Sequence, residues 1–270
     1  MKSAAFRYAR PENLAEAMTL KRAEGEDARW LAGGQSLVPM MNLRMASPSL
    51  VIDLSRIRVL TGISLQGETL RIGAMTRHAA VGADPMVARH APLLAQAAPW
   101  IAHPAIRARG TIGGSLALAD PAAEWPACCL ALDATLVALG MDGAERHIAA
   151  ADFFQGIYAT ALLPDELLLR VEIPVQRGRS ALRELARRHG DYATVGLAAT
   201  SAPALAFFGV ADRPLRFAGV EAALADQGVD AAVALLRTTL EPIADLCHAA
   251  ATKSHLAGVL LRRVAQEIGA

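Results

Sequence analysis

The sequence LAGGQSLVP, residues 31–39, places two adjacent glycines between a short apolar segment and a segment with a helical pattern. Consecutive glycines adopt positive φ at little steric cost and allow a ligand to approach the backbone closely. Successive backbone N–H groups in such a turn form a concave anion-binding surface, and the start of a following helix adds more N–H groups. We therefore predict that Gly33 and Gly34 supply bare backbone to an anion, with Gln35 and Ser36 as hydrogen-bonding side chains.

A second stretch, TIGGSLALADPAAEWP at residues 111–126, repeats this pattern. Gly113 and Gly114 correspond to the first glycine pair, and Thr111 and Ser115 flank them. Neither stretch matches G-x-G-x-x-G or G-x-x-x-x-G-K-[ST], so neither is a phosphate-binding signature by itself. Two such turns, each leading into a helix, favour a bound diphosphate about as strongly as they favour two ordinary tight turns.

The second stretch also carries two acidic residues, Asp120 and Glu124. Carboxylates are unsuited to phosphate but accept hydrogen bonds from ribose or ribityl hydroxyl groups, as in dinucleotide sites. Asp120 followed by Pro121 is also typical of a helix N-cap with proline in the first turn. The sequence therefore predicts a helix starting there and a sugar-binding role for the acidic pair.

Composition excludes several classes of function. The 27 Lys and Arg residues balance 26 Asp and Glu residues, and aromatic residues make up only 4% of the chain. This composition gives no electrostatic or stacking basis for binding nucleic acid or an anionic membrane. The three cysteines form no C-x-x-C pair, which argues against a disulfide framework or a cysteine metal site and favours a reducing compartment.

One uncharged run, residues 193–211, is nearly long enough for a membrane helix. It contains Gly196, Pro203 and Gly209, and most of its apolar residues are small alanines, so we predict two buried strands with a turn near residues 201–203. The first residues show no continuous apolar segment typical of a secretory signal. We expect a soluble, cytoplasmic protein.

Hydrophobic patterning predicts a mixed fold with strands and helices in both halves of the chain. Toward the N-terminus it indicates a helix at 11–25, a hairpin at 60–74 turning at Gln66-Gly67, a helical stretch at 76–110 interrupted by prolines, and strands at 28–32, 49–55, 134–140, 146–150 and 167–175. Beyond residue 175 we predict three antiparallel strands, at 180–200, 202–212 and 214–224, followed by helices at 228–240 and 248–268. Strands followed by helices suggest a separate α+β domain, and a 270-residue chain suits two domains.

Four segments together carry a resemblance to a known family: AGGQSLVPMMNLR, TIGGSLALADPAAEWPA, FFQGIYATALLPDELLLRVEIP and RRHGDYATVG. They resemble the FAD-binding medium subunit of molybdenum hydroxylases, the family of carbon monoxide dehydrogenase medium chains and xanthine dehydrogenase flavin domains. The resemblance covers nearly the whole chain. It implies an α+β protein with a vanillyl-alcohol-oxidase-type FAD-binding domain at 1–176, made of two α/β subdomains (about 1–57 and 58–176). A small C-terminal domain at 177–270 follows, with a three-stranded antiparallel sheet and helices.

The resemblance also implies roles for individual residues. The FAD diphosphate is expected at Ala32, Gly33, Gly34, Gln35, Ser36, Leu37, Thr111, Gly114 and Ser115. The ribityl chain is expected at Glu124, with Asp120 as a second polar contact, and apolar contacts to the cofactor at Ile101, Ala102 and Leu168. Two departures from the family pattern, Gln35 and Leu118 where histidines are common, are expected to change the affinity for FAD without abolishing binding.

Two further residues bear on the redox behaviour of the flavin. Arg183 falls where the family often has a basic residue near the isoalloxazine, and Tyr192 where some members have an aromatic residue against that ring. A cation there would stabilise the negative charge of reduced flavin. The alternatives remain a solvated strand charge for Arg183 and a core or interface tyrosine for Tyr192.

The function implied is electron transfer within a multi-subunit oxidoreductase, in which this chain binds FAD and contributes no metal ligand and no catalytic side chain. Electrons would come from a molybdenum-cofactor large subunit through an iron–sulfur small subunit, in a heterotrimer whose dimerisation is left open. They would leave FAD for NAD, a quinone or another acceptor. The alternatives are a stand-alone flavin-dependent oxidase or dehydrogenase and an assembly module without flavin.

Overall fold

A computed structural model describes residues 2–270, and its first part is a small parallel sheet with two helices. The strands lie in the order β1-β3-β2, and both neighbouring pairs are parallel. Its elements are β1 (Arg7–Ala9), α1 (Leu14–Glu24), β2 (Ala28–Leu31), α2 (Leu37–Asn42) and β3 (Leu50–Asp53). The carboxyl ends of parallel strands meet at one edge, so the segments after β1, β2 and β3 come together there.

The first helix starts later than its sequence pattern suggests. The Asn13 side chain accepts a hydrogen bond from the Glu16 N–H at 2.9 Å, which caps α1 at Leu14 rather than near Pro11. The helix ends as predicted at Gly25, which has a φ of 64°.

A five-stranded antiparallel sheet forms the second part, with strand order β4-β5-β10-β6-β7. Its strands are β4 (Ile63–Gln66), β5 (Thr69–Gly73), β6 (Thr135–Leu139), β7 (Glu145–Ala149) and β10 (Leu167–Pro174), and a two-stranded hairpin adds β8 (Phe154–Gly156) and β9 (Ala159–Thr160). The first hairpin is confirmed, but Gln66 pairs with Thr69, which moves the turn to Gly67 and Glu68.

Short helices connect the strands of this sheet. They are α3 (His78–Ala83), α4 (Pro85–His90), α5 (Pro92–Ala97), α6 (Pro104–Arg107), α7 (Ile112–Leu118), α8 (Glu124–Ala131) and α9 (Ala150–Phe153). Pro85, Pro92 and Pro104 each occupy the first turn of a helix, where the missing N–H is harmless. The prolines therefore divide residues 76–110 into separate helices, as the sequence predicted.

The third part is a three-stranded antiparallel sheet covered by three helices. It contains β11 (Ser180–Leu185), β12 (Val195–Thr200), β13 (Ala204–Phe208), α10 (Ala218–Gln227), α11 (Val229–Thr239) and α12 (Ala250–Ile268). The uncharged run at 193–211 forms β12 and β13, which confirms two buried strands. Among residues 2–270, no helix is long and apolar enough to cross a membrane.

The prediction of a strand at 214–224 is wrong. Residues 180–200 supply two strands rather than one, so β13 is the third strand, and of residues 214–224 only Leu215 pairs with the sheet, in an isolated antiparallel bridge to Phe207. Val220, Ala223 and Leu224 are buried at helical spacing, and the Glu221 carboxylate accepts a hydrogen bond from the Leu205 N–H at 2.7 Å. These contacts hold residues 218–227 as α10 beside the start of β13.

The two faces of the third sheet belong to different hydrophobic cores. Leu182, Ala198 and Phe208 pack into the core that contains α5 and α8, whereas Ala181 and Leu197 pack against α10–α12. The third sheet therefore lies between α5 and α8 on one face and α10–α12 on the other. Successive side chains of β11 point alternately to these two faces.

Replacing Gly196 with alanine tests this packing. An added Cβ would lie 2.0 Å from the Phe208 ring, so the ring would have to leave the shared core. We expect Gly196→Ala to lower the free energy of unfolding by about 1–3 kcal/mol, measured by urea denaturation. Gly219→Ala in α10 is the control: its Cβ would meet only Leu235 at 3.5 Å, so stability should hold or rise. A wild-type midpoint for Gly196→Ala would contradict the packing.

Candidate ligand-binding site

The first glycine turn is held against the loop that precedes the second one. A Cβ on Gly33 would lie 2.4 Å from the Arg109 carbonyl oxygen and 2.6 Å from the Gly110 Cα, so only glycine fits. A Cβ on Gly114 would lie 3.3 Å from the Ala32 Cβ. The structure thus brings the two predicted turns into direct contact.

The first turn presents unused backbone donors. No atom of residues 2–270 accepts a hydrogen bond from the N–H groups of Gly34, Gln35 or Ser36. Gly34 has a φ of 73°, and the Gln35 side chain steadies the turn by donating to the Gly33 carbonyl at 3.0 Å. Ser36 stands at the N-cap of α2 without using its hydroxyl there. Three N–H groups and one hydroxyl are therefore free for an anion.

The second turn differs, and the expectation that it also offers backbone N–H groups is wrong. The Gly113 N–H donates to the Ala74 carbonyl at 2.8 Å, and the Gly114 N–H donates to the Thr111 hydroxyl at 3.1 Å. The Ser115 N–H donates to the Thr111 carbonyl at 3.1 Å. These hydrogen bonds cap α7 and attach it to β5, so Ser115 offers only its hydroxyl.

A cavity of about 440 Å³ opens beside the first turn. Its lining includes Ala32, Gly33, Gly34 and Gln35 together with Tyr8, Arg10, Asp53, Ser55, Arg77 and Arg109. The three guanidinium groups make this end of the site positive, which complements an anion. Asp53 accepts hydrogen bonds from the Tyr8 hydroxyl and the Ser55 N–H, and lies 3.5 Å from the Arg10 guanidinium.

Sequence reasoning missed all six of these additional lining residues. Tyr8, Arg10, Asp53 and Ser55 stand in or just after β1 and β3, at the same sheet edge as the glycine turn. Polar residues at the carboxyl ends of neighbouring parallel strands are a recognised binding signal. The positions of these four residues at the carboxyl ends of β1 and β3 are thus a sequence signal for this site.

Helix α7 separates the glycine turns from the acidic residues. Its seven residues span about 10 Å, with Thr111 before its first turn and Asp120 just beyond its last. The Asp120 carboxylate accepts from the Ala122 N–H at 2.9 Å and forms a local turn, while α8 starts only at Glu124 with Ala123 as its N-cap. The predicted N-cap role of Asp120 is therefore wrong, because its carboxylate closes the loop before the helix.

Three carboxyl groups form a row from this loop to β11: Asp120, Glu124 and Glu184, all buried. Burial raises the pKa of Asp120. Burial, and then the neighbouring Asp120, raise the pKa of Glu124 to about 7. Burial, and then the neighbouring Glu124, raise the pKa of Glu184 to about 8. This acidic row is poorly solvated and lacks cation partners, so Glu184 holds its proton at neutral pH and Glu124 is about half protonated there.

Two tyrosines stand beside the acidic row. Enclosure by the protein, and then Asp120, Tyr158 and Glu124, raise the pKa of Tyr192. The charge of Asp120 is the main cause that raises the pKa of Tyr158. The side chain of Tyr192 is still 71% exposed, so it lies at the rim of the row with an accessible ring face.

The three residues predicted to make apolar contacts with the cofactor are Ile101, Ala102 and Leu168, and they lie at or in the core of the second part. Ile101 and Leu168 are buried in one core, and Leu168 belongs to β10. Ala102 has a φ of 42°, and the Arg107 guanidinium donates to the carbonyl oxygens of Ile101 and Ala102 at 2.8 and 2.9 Å. A Cβ on Gly190 would lie 2.7 Å from the Ala102 carbonyl, so this loop meets the segment that leads to Tyr192.

The structure does not bring Arg183 to this site. Its guanidinium donates to the Glu267 carboxylate of α12 at 2.9 Å, on the far face of the third sheet. The strand alternates, so the next residue, Glu184, faces α8 and the acidic row instead. Arg183 therefore lies on the sheet face away from the other predicted site residues, and the buried Glu184 lies on the face toward them.

Two family models together match almost the whole chain. The first, described as the FAD binding domain in molybdopterin dehydrogenase, matches residues 4–176, and the second, the CO dehydrogenase flavoprotein C-terminal domain, matches residues 180–268. The carbon monoxide dehydrogenase medium chain of Afipia carboxidovorans is 40% identical over 97% of this chain and 96% of its own length. The alpha subunit of the 6-hydroxypseudooxynicotine dehydrogenase complex of Paenarthrobacter nicotinovorans is 44% identical over 73% of this chain and 67% of its own length.

Solved structures also match over nearly the whole length of this chain. Carbon monoxide dehydrogenase from Hydrogenophaga pseudoflava superposes with a TM-score of 0.94 at 37% identity, covering 100% of this chain and 99% of that one. Quinoline 2-oxidoreductase from Pseudomonas putida 86 superposes with a TM-score of 0.93 at 35% identity, covering 99% and 98%.

The raised pKa of Glu184 predicts a pH-dependent stability. A carboxyl group whose pKa is higher in the folded than in the unfolded chain stabilises the fold only while protonated. That contribution is lost as the pH rises from about 4.5 to about 8. Thermal unfolding of the ligand-free Glu184→Gln variant should match the wild type at pH 5 and exceed it increasingly toward pH 8.

The control for this titration is Glu267→Gln in α12, whose carboxylate is open to water and paired with Arg183. This variant shows what the loss of an exposed ion pair alone does to the melting temperature. A constant difference for Glu184→Gln would show that Glu184 is ionised throughout.

Proposed function

Because this chain belongs to the family of FAD-binding domains of molybdopterin dehydrogenases, we propose that it carries electrons through FAD within a larger molybdenum hydroxylase. It is an FAD-binding flavoprotein and a medium subunit of an oxidoreductase of this family. When bound, FAD supplies the ability to accept and release electrons, and the protein supplies binding, orientation and electrostatics.

The free N–H groups of Gly34, Gln35 and Ser36 are the observation that supports this proposal most strongly. A diphosphate needs several converging donors, and the first turn provides them beside three arginines. We assign the diphosphate to residues 32–37, with Thr111, Gly114 and Ser115 completing the wall through packing and the Ser115 hydroxyl. The donors here are backbone groups, so the site needs no lysine.

The flavin end of the cofactor is assigned to the acidic row. FAD is an extended molecule with an anionic diphosphate at one position and ribityl hydroxyls further along, and α7 spaces complementary groups by about 10 Å. Asp120 and Glu124 would accept hydrogen bonds from those hydroxyls. Tyr192 would lie along the ring, with Ile101, Ala102 and Leu168 behind it.

The partners that we propose for the chain follow from the family to which it belongs. We infer that a molybdenum-cofactor large subunit oxidises the substrate and that an iron–sulfur small subunit passes the electrons to this chain, in a cytoplasmic heterotrimer. NAD, a quinone or another acceptor would reoxidise the flavin. We place the domain boundary at residues 176–177, between β10 and β11, which belong to different sheets.

A pair of substitutions at Gly34 tests the diphosphate assignment. Gly34 has a φ of 73°, a conformation that aspartate tolerates at least as well as alanine, but only aspartate sets a carboxylate against the diphosphate. We expect Gly34→Asp to bind FAD at least 100-fold more weakly than Gly34→Ala, which is about 3 kcal/mol. Flavin fluorescence titration of the purified apo-chains measures the difference.

Circular dichroism of both variants provides the control for folding. Equal FAD affinities for the two folded variants would place the diphosphate elsewhere.

Purification of the affinity-tagged chain from its own source organism tests the proposed assembly. The complex should contain molybdenum, iron and FAD in fixed ratio by metal analysis and visible spectroscopy, and its own substrate should bleach the flavin absorbance. A chain that is isolated with FAD alone, and whose FAD is reduced directly by an organic substrate, would instead identify a stand-alone oxidase.

A further inference from the structure

Gly209, in the turn after β13, contacts both segments of the proposed flavin end. The Gly209 N–H donates to the Pro121 carbonyl at 2.9 Å, and Pro121 directly follows Asp120. A Cβ on Gly209 would lie 2.6 Å from the carbonyl oxygen of Ala193, which directly follows Tyr192. The φ of Gly209 is 74°, so glycine is needed both for the backbone conformation and for this close approach. The Gly209 turn therefore sets where the Asp120 loop lies relative to the Tyr192 segment.

Helix α12 and the segment before it also hold this turn. The Ile243 N–H donates to the carbonyl of Val210, the next residue in the turn, at 2.8 Å. The Lys253 ammonium group of α12 donates to the Gly209 carbonyl at 3.0 Å and lies 2.8 Å from the Asp245 carboxylate. A continuous chain of hydrogen bonds thus runs from α12 through the Gly209 turn to the loop that begins the acidic row.

Lys253 reaches the turn as a charged donor inside the protein, since its side chain is buried. Burying an ammonium group is costly unless the group is paired and hydrogen-bonded, and Lys253 meets both conditions. The Asp245 carboxylate also accepts hydrogen bonds from the N–H groups of Cys247 and His248, both at 2.8 Å, which keep it in place beside the lysine. Because charge-assisted hydrogen bonds are stronger than neutral ones, Lys253 restrains the Gly209 carbonyl more firmly than a neutral donor would.

We propose that Lys253 is a positioning residue for the flavin end of the cofactor, which sets the separation of the Asp120 loop and the Tyr192 segment by holding the Gly209 turn. Groups that bind a ligand must be kept close to their productive geometry by the residues around them. The inference rests on the proposed placement of FAD, and it gives a role in flavin binding to α12, a helix that contributes no residue to the site. The diphosphate turn at 32–37 lies outside this chain of hydrogen bonds, so the effect of Lys253 is confined to the flavin end.

Substitution of Lys253 by methionine tests the proposal with two ligands. The purified full-length apo-chain is titrated calorimetrically with FAD and, separately, with ADP, which has the diphosphate but no flavin. Methionine is unbranched like lysine but cannot donate a hydrogen bond, so the Gly209 turn loses its restraint. Lys253→Met should weaken FAD binding about tenfold, a size typical of coupling between separate positions, and should leave ADP binding unchanged.

A second variant disturbs the same turn and keeps the lysine. In Gly209→Ala the added Cβ meets the Ala193 carbonyl, so the turn must shift. This variant should also bind FAD about tenfold more weakly and ADP normally, again as expected for coupling of this kind. It decides the question if Lys253→Met does not fold.

The fluorescence of bound FAD separates positioning from stability. An aromatic ring stacked on the flavin quenches its emission, so a displaced Tyr192 should make the flavin of both variants brighter at saturating FAD. A loss of stability alone would leave the emission of the fully bound flavin unchanged. Arg262→Gln is the matched control, because Arg262 lies on the same helix but pairs with Asp230 at the surface. It should keep the wild-type affinities and emission.

The outcomes separate the inference from the function it rests on. If folded Lys253→Met binds FAD with the affinity and emission of the wild type, Lys253 does not position the flavin end and the inference is wrong, while the proposed function stands. The same holds if the variant loses FAD and ADP equally, which would show a general role in folding. If the wild-type chain binds ADP but not FAD, the placement of the flavin fails and this inference fails with it.

Discussion

The close approach of Gly33 to the backbone of Arg109 and Gly110 is the contact on which the rest of the site depends. It joins a turn of the small parallel sheet to a loop of the large antiparallel sheet at a separation that only glycine permits. Once the two parts are held in this way, the first turn lies against the start of α7. The arginines that line the cavity come from both parts, so their convergence depends on the same contact.

The two glycine turns are alike in sequence but differ in how their backbone N–H groups are used. The first exposes backbone donors, and the second uses its own donors to fix α7 to β5. Helix α7 then sets the distance between a positive end and an acidic end. Any member of the acidic row that ionises would repel a diphosphate anion, and the separation of about 10 Å provided by the seven-residue helix weakens that repulsion.

Local patterns predicted much of the fold. The glycine turns, the proline-divided helices and the strands at 193–211 follow from preferences of single residues and their neighbours. The errors arose where the outcome depends on contacts between distant segments. The shared core fixes which face of β11 meets α8, so the sequence could not show whether Arg183 or Glu184 lies on that face. Likewise, only the structure showed that α10 begins at Ala218 and that Leu215 alone pairs with the third sheet.

Hydrogen–deuterium exchange of individual amides, with and without FAD, tests the division between the two turns most directly. The N–H groups of Gly34, Gln35 and Ser36 have no acceptor among residues 2–270, so they should exchange quickly in the apo-chain and become strongly protected by FAD. The N–H groups of Gly113 and Gly114 should be protected already and change little. Equal new protection at both turns, or none at the first, would contradict this account of the binding site.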